Sequence, residues 1–264
     1  MSALTGRVPA GHYRFRQVAR MEWIKLRTLR STWWALAITA VGGAVMAVVI
    51  GLNTVSRSAD LTNNVLAGVI PGLLLIGVLG VLVMTTEYTS GMIRATLAAT
   101  PRRPLLLAGK AAVFGAASLV VGEAAAFLAF FAGGAALRHG LSAPSLSQPG
   151  VLRAIVLGGA SYCLIGLLGL GLGAIIRHTA AAIAVLVAGV FLIGLIIGAA
   201  ARGLASYLPV FIIGNSLTTT KPQSCAGAAQ CVHFLSPWAG LAVLSLYAAA
   251  ALAIGGWLLV HRDA

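Results

Sequence analysis

Acidic side chains are scarce in this sequence: five Asp and Glu stand among 264 residues, against 18 Lys and Arg. Charge of either sign is scarce too, at 9% of residues, where soluble globular proteins carry about 25%. So few charges cannot cover a water-facing surface, which nearly excludes a soluble enzyme. No GxxxxGK[ST] phosphate loop occurs, so the chain is not expected to bind or hydrolyse ATP itself. HExxH is missing, and no Cys/His cluster has metal-ligand spacing. The five histidines, His12, His139, His178, His233 and His261, fall near span ends and in loops. A haem-binding membrane cytochrome needs them within spans. A rhomboid-type protease needs a Ser in a GxSx setting and a His in a later span, and no such pairing is evident.

What is present is apolar: 59% of residues are hydrophobic and the mean hydropathy is +0.98. Disorder is excluded by the same numbers. A membrane helix needs about 20 apolar residues. Runs of that kind lie at 33–52, 65–86, 111–132, 151–176, 179–201 and 238–260. The expected fold is an all-α polytopic membrane protein with six transmembrane helices over 33–264, preceded by a cytoplasmic segment, 1–32. Pro71 is tolerable near the start of the second span. The first 30 residues lack the apolar core and small-residue cleavage site of a signal peptide. The first span is therefore expected to be retained.

Six spans put both termini on one side. That side takes Arg7, Arg14, Arg16, Arg20, Lys25, Arg27, Arg30, Arg94, Arg102, Arg103, Lys110, Arg177 and Arg262, thirteen in all. The other takes Arg57, Arg138, Arg153, Arg202 and Lys221, five in all. Cytoplasmic loops are enriched in Lys and Arg, so both termini are expected in the cytoplasm, in the plasma membrane. The basic residues are spread over separate loops of one face, which removes most of the support for a nucleic-acid partner.

Cys163 lies mid-span, where cysteine behaves as a small apolar residue. Cys225 and Cys231 share the outer loop before the sixth span. They form a disulfide in that oxidising setting or stand as two free thiols.

Residues 14–32 project at 100° per residue into an amphipathic helix. Phe15, Val18, Ala19, Trp23, Leu26 and Leu29 share one arc, with Arg16, Arg20 and Arg27 beside it. This pattern suits an interfacial helix on the lipid bilayer, its basic stems snorkelling to phosphates. Glu22 falls inside the apolar arc and needs a basic partner from a neighbouring helix or loop. Farther on, 87–110 reads EYTSGMIRATLAATPRRPLLLAGK. A short helix fits 90–99, with Gly91 near its start and Pro101 beyond its end. Held at both ends by spans, it either transmits force from a cytoplasmic partner or only sets topology.

EWIKLRTLRSTWW at 22–34 paired with the 87–110 segment resembles the ABC-2 type permease family, in particular its short six-span members. These are membrane subunits of ATP-binding-cassette transporters. GLGAIIRHTAAAIAV at 171–185 and YLPVFIIGNSL at 207–217 resemble further segments of that family in matching order. The resemblance covers nearly the whole chain. It implies an exporter half that pairs with a second permease copy or paralogue and binds ABC ATPase subunits, with ATP and Mg on those partners and no cofactor on this chain. It implies an interfacial helix marked by Glu22, Trp23, Lys25 and Arg27 beside a coupling helix that docks in the ATPase. Carried onto this sequence, Glu87, Tyr88, Gly91, Ile93, Arg94 and Leu97 are the coupling residues. The apolar stretch at 208–213 would match a re-entrant segment before the last span.

Glu123 is the one acid deep in a span. Such acids usually face a bundle interior, where Glu123 either makes a packing hydrogen bond or serves transport. A rival reading, an ion-coupled secondary transporter acting without an ATPase, makes Glu123 and Lys110 its coupling charges. A non-transporting membrane anchor for a signalling complex is a third. Glycine is abundant, at 32 residues. Its crowding in the fourth span at Gly166, Gly169, Gly171 and Gly173 predicts close helix packing.

Overall fold

The computed structural model describes residues 14–28, 30–55, 60–93, 96, 103–137, 141–200, 202–219 and 234–261. Among them there is no strand. Six helical segments are long and apolar enough to cross a membrane. A separate helix, α1 (Phe15–Thr28), precedes the first of them, α2 (Arg30–Asn53).

The second crossing is broken into α3 (Leu61–Leu66) and α4 (Val69–Thr89). The Asp60 carboxylate caps α3 by accepting from Asn63 N at 3.1 Å. A turn at Ala67 and Gly68 restarts the helix, with Pro71 in the first turn of α4, where its missing N–H costs nothing. The third crossing, α5 (Arg103–Ala135), starts at Arg103 rather than near 111. Pro104 sits in its first turn, so this proline opens the helix instead of delaying it. At 33 residues and about 1.5 Å per residue, α5 is longer than the ~30 Å apolar layer.

The fourth crossing, α6 (Val151–Ile176), has the expected bounds. The fifth is α7 (Thr179–Val187), a π-helical turn (Ala188–Leu192) and α8 (Ile193–Ala200). The sixth is α11 (Pro237–His261), reached through α9 (Arg202–Ala205) and α10 (Pro209–Ser216). The apolar stretch expected at 208–213 forms most of α10, which buries Ile212 and Ile213 and packs on α11.

Helix α6 is the centre of the bundle and packs against α4, α5 and α11. Glycine permits the closest approach. A Cβ on Gly80 would lie 2.1 Å from the Gly166 carbonyl oxygen, and one on Gly169 would lie 2.2 Å from that of Gly77. Tyr162, fully buried, donates its hydroxyl to the Val69 carbonyl at 2.9 Å. Outward faces stay apolar, with Trp34, Val45, Ile196, Leu246 and Trp257 exposed. Apolar surface on that scale is the mark of a membrane-facing protein.

One end of the bundle is tied through Asp60 and Arg153. Asp60 accepts from Thr219 N at 2.7 Å and Thr219 Oγ1 at 3.0 Å. Arg153 donates to the Thr218 carbonyl at 2.6 Å. Thus the segment after α10 is held to the starts of α3 and α6. The opposite end carries α1 and an ion-pair cluster of Glu22, Lys25, Glu87 and Lys110.

Candidate functional site

At the α1 end, four charged side chains from three helices meet. Lys110 of α5 donates to Glu22 Oε2 of α1 at 2.8 Å and to Glu87 Oε1 of α4 at 2.8 Å. Lys25 of α1 donates to Glu22 Oε1 at 3.2 Å and to the same Glu87 oxygen at 3.0 Å. Two acids and two bases leave the cluster neutral. Glu22, Glu87 and Lys110 are each at most 6% exposed, while Lys25 closes the cluster from the partly exposed side.

The reason is helical spacing. Glu22 shares a face with Val18 and Leu26, at intervals of four, and these three are the buried residues of α1. That face rests on α5, where a Cβ on Gly109 would meet Val18 Cγ1 at 2.7 Å. Glycine thus lets α1 approach the helix that carries Lys110. Phe15 and Trp23 of the expected apolar arc are exposed instead. The arc therefore divides between the protein and its surroundings.

Burial disfavours the Lys25 ammonium, yet the hydrogen bond to Glu87 and the charges of Glu22 and Glu87 outweigh it. Its pKa stands above the ordinary 10.5. Glu87 Oε2 is buried with no hydrogen-bond partner among the described residues. A cavity of about 80 Å³ adjoins the cluster, lined in part by Thr32, Val83 and Phe114. That is too small for an organic ligand, whose sites span about 300–1,000 Å³. The cluster is therefore a joint between helices rather than a pocket.

Next to Glu87, Tyr88 carries the Arg177 guanidinium 5.3 Å from its ring centroid. Arg177 also donates to the Leu258 carbonyl of α11 at 3.1 Å. Its left-handed φ of 58° ends α6. Helix α4 ends two residues beyond Glu87, and Gly91, with φ +70°, turns the chain. Met92 and Ile93 resume the helical conformation, Met92 exposed and Ile93 buried.

Of the expected coupling residues, Glu87, Tyr88, Gly91 and Ile93 therefore lie together. Glu87 and Ile93 are internal rather than surface groups. Arg94 and Leu97 lie outside the described residues, as do Cys225 and Cys231 and half of the 90–99 helix. Of the interfacial set, Glu22 and Lys25 enter the cluster, while Trp23 and Arg27 are exposed. Glu123 is remote from it. Its carboxyl packs over Gly159 of α6, where an added Cβ would meet Cδ at 2.5 Å. Lys110 was readable as a loop charge and is instead a helical residue. Its signal was a lone lysine next to an apolar run, in a chain whose Glu22 needed a base.

No group of three or more His, Cys, Asp and Glu among the described residues could hold a metal ion. No protein-family model matches the sequence, and no curated protein matches it. Fold and site define an all-helical protein with six membrane-crossing candidates and a buried four-charge joint at one end.

Proposed function

We propose that this chain is the permease subunit of an ABC-2 type exporter, forming the translocation path and driven by a separate ATPase. It sits in the plasma membrane with both termini in the cytoplasm and pairs with a second permease copy or paralogue. ATP and Mg bind the ATPase partner. Helix α1 lies along the cytoplasmic interface, with Trp23 at headgroup depth and Arg16, Arg20 and Arg27 toward lipid phosphates.

The observation that carries this reading is the Glu22–Lys25–Glu87–Lys110 joint. It fastens α1, the end of α4 and the start of α5 into one unit beside the Gly91 turn. Force applied at the exposed Met92 corner would then move two spans together instead of bending one loop. This suits a device whose energy arrives from outside the chain. The buried Glu87 acts by holding the corner, and exposed residues of the corner meet the partner. ATP-driven closure of the ATPases pushes this corner and reorients the spans, giving alternating access in the dimer. In the rival ion-coupled carrier, Lys110 is a coupling charge. Here both carboxylates of the joint engage it.

The test is affinity capture of the tagged chain from membranes dissolved in mild detergent. Co-purification of a protein bearing a GxxxxGK[ST] loop, lost in Met92→Asp while that variant keeps its melting temperature, supports the assignment. Ion-gradient-driven transport by the purified chain alone, with no ATPase captured, overturns it.

A further inference from the structure

An apolar groove of about 500 Å³ runs between the start of α5 and the end of α11. Small residues carve its floor: Ala108 and Ala111 from α5, Ala253 and Gly256 from α11. Leu252 and Trp257 wall it. From Leu252 to His261 it follows α11 for roughly 14 Å at 1.5 Å per residue. That is close to half of the ~30 Å hydrocarbon layer. Placed with the helix ends at the membrane surface, a groove of that length reaches into one leaflet. It matches the reach of one acyl chain within one leaflet.

Its mouth is basic. Arg103 precedes the groove residue Pro104 and donates to the Leu259 carbonyl at 2.8 Å. His261 lines the mouth and stacks on Trp257, with ring centroids 4.6 Å apart. No Asp or Glu lines the groove among the described residues. The N-terminal, positive end of the α5 dipole faces the same way. Basic pockets between membrane helices recognise anionic headgroups, and tryptophan favours headgroup depth.

We propose that this groove binds one anionic phospholipid, its acyl chain along the alanine and glycine floor and its phosphate at Arg103 and His261. The proposal rests on the chain spanning a membrane and is independent of any ATPase. Bound lipid would fasten α11 to α5 beside the four-charge joint.

Native mass spectrometry of the full chain tests this, after release from bilayers of phosphatidylglycerol and phosphatidylcholine in equal amounts. One phosphatidylglycerol adduct per chain is expected. Arg103→Gln lowers the preference for phosphatidylglycerol about fivefold, the effect of one basic residue near the surface. Because Arg103 also holds the end of α11, His261→Gln is the second variant and shifts the preference the same way. Ala108→Phe with Ala253→Phe fills the groove and removes the adduct while the melting temperature is kept. Equal adducts of both lipids, or an adduct unchanged by groove filling, overturns the proposal. So does a dimer of this chain that groove filling breaks while lipid binding stays the same.

Discussion

Lys110 Nζ stands 2.8 Å from Glu87 Oε1, joining α5 to the end of α4 inside the protein. An ion pair so buried is expensive to desolvate and is stable only because every charge in it is matched. Glu22 and Lys25 supply the match.

Removing one member should therefore cost far more than a surface pair. Lys110→Met leaves two acids facing Lys25 alone, and about 3–5 kcal/mol of stability is lost. Lys110→Met with Glu87→Gln loses less than the sum of the two single changes, because the partners share one network. Thermal unfolding in detergent, measured as a double-mutant cycle, checks both statements. Additivity would contradict the joint.

The Lys25 contribution has a defined pH dependence. Its pKa is raised in the folded chain above the ordinary 10.5. Its stabilisation is thus complete below 10.5 and is lost as pH rises through the higher folded value. The gap in melting temperature between wild type and Lys25→Gln should stay constant on the neutral side and narrow only beyond 10.5.

Helix contact through glycine predicts sharp position dependence. Gly80→Ala puts a methyl 2.1 Å from the Gly166 carbonyl oxygen and should cost about 1–3 kcal/mol. Gly42, where an added Cβ meets nothing within 4 Å, should accept Ala without loss. Equal melting temperatures for the two variants would contradict the α4–α6 packing.

Gly91 differs in kind. Space around its Cβ is open, and the demand comes from φ +70°. Gly91→Ala should cost about 1–2 kcal/mol, and Gly91→Asn less, since Asn tolerates that region better. Capture of the proposed ATPase should weaken in Gly91→Ala, because the corner shifts while the buried joint stays intact.

The spans were legible because hydropathy is a local property: α6 has the expected bounds, and α2 and α11 differ from expectation by a few residues at most. Glu22 was legible as an acid that needs a base. One partner, Lys25, lies three residues on along the same helix, within reach of local pattern; the other, Lys110, lies 88 positions away, and local pattern carries no long-range pairing. Lys110 looked like part of a basic loop because a charge interrupting the apolar run set the start of the third span at 111, whereas the helix already begins at Arg103 and carries Lys110 inside it. Arg177 looked like a topology charge, and its place over Tyr88 follows from how α6 and α4 pack. The π turn in the fifth crossing left no composition signal, because it sits inside a uniformly apolar run where hydropathy is blind to hydrogen-bond register. The α3–α4 break lies between Asn63 and Asn64 on one side and Gly68 and Pro71 on the other, marks that a search for long apolar runs passes over.

Site-specific photo-crosslinking from position 92 in intact membranes, with the exposed Val120 of α5 as the control site, tests the coupling corner most directly. An adduct at position 92 with a protein that carries a GxxxxGK[ST] loop is expected, and none at 120. A partner lacking a nucleotide site, or no protein adduct at 92, would contradict it.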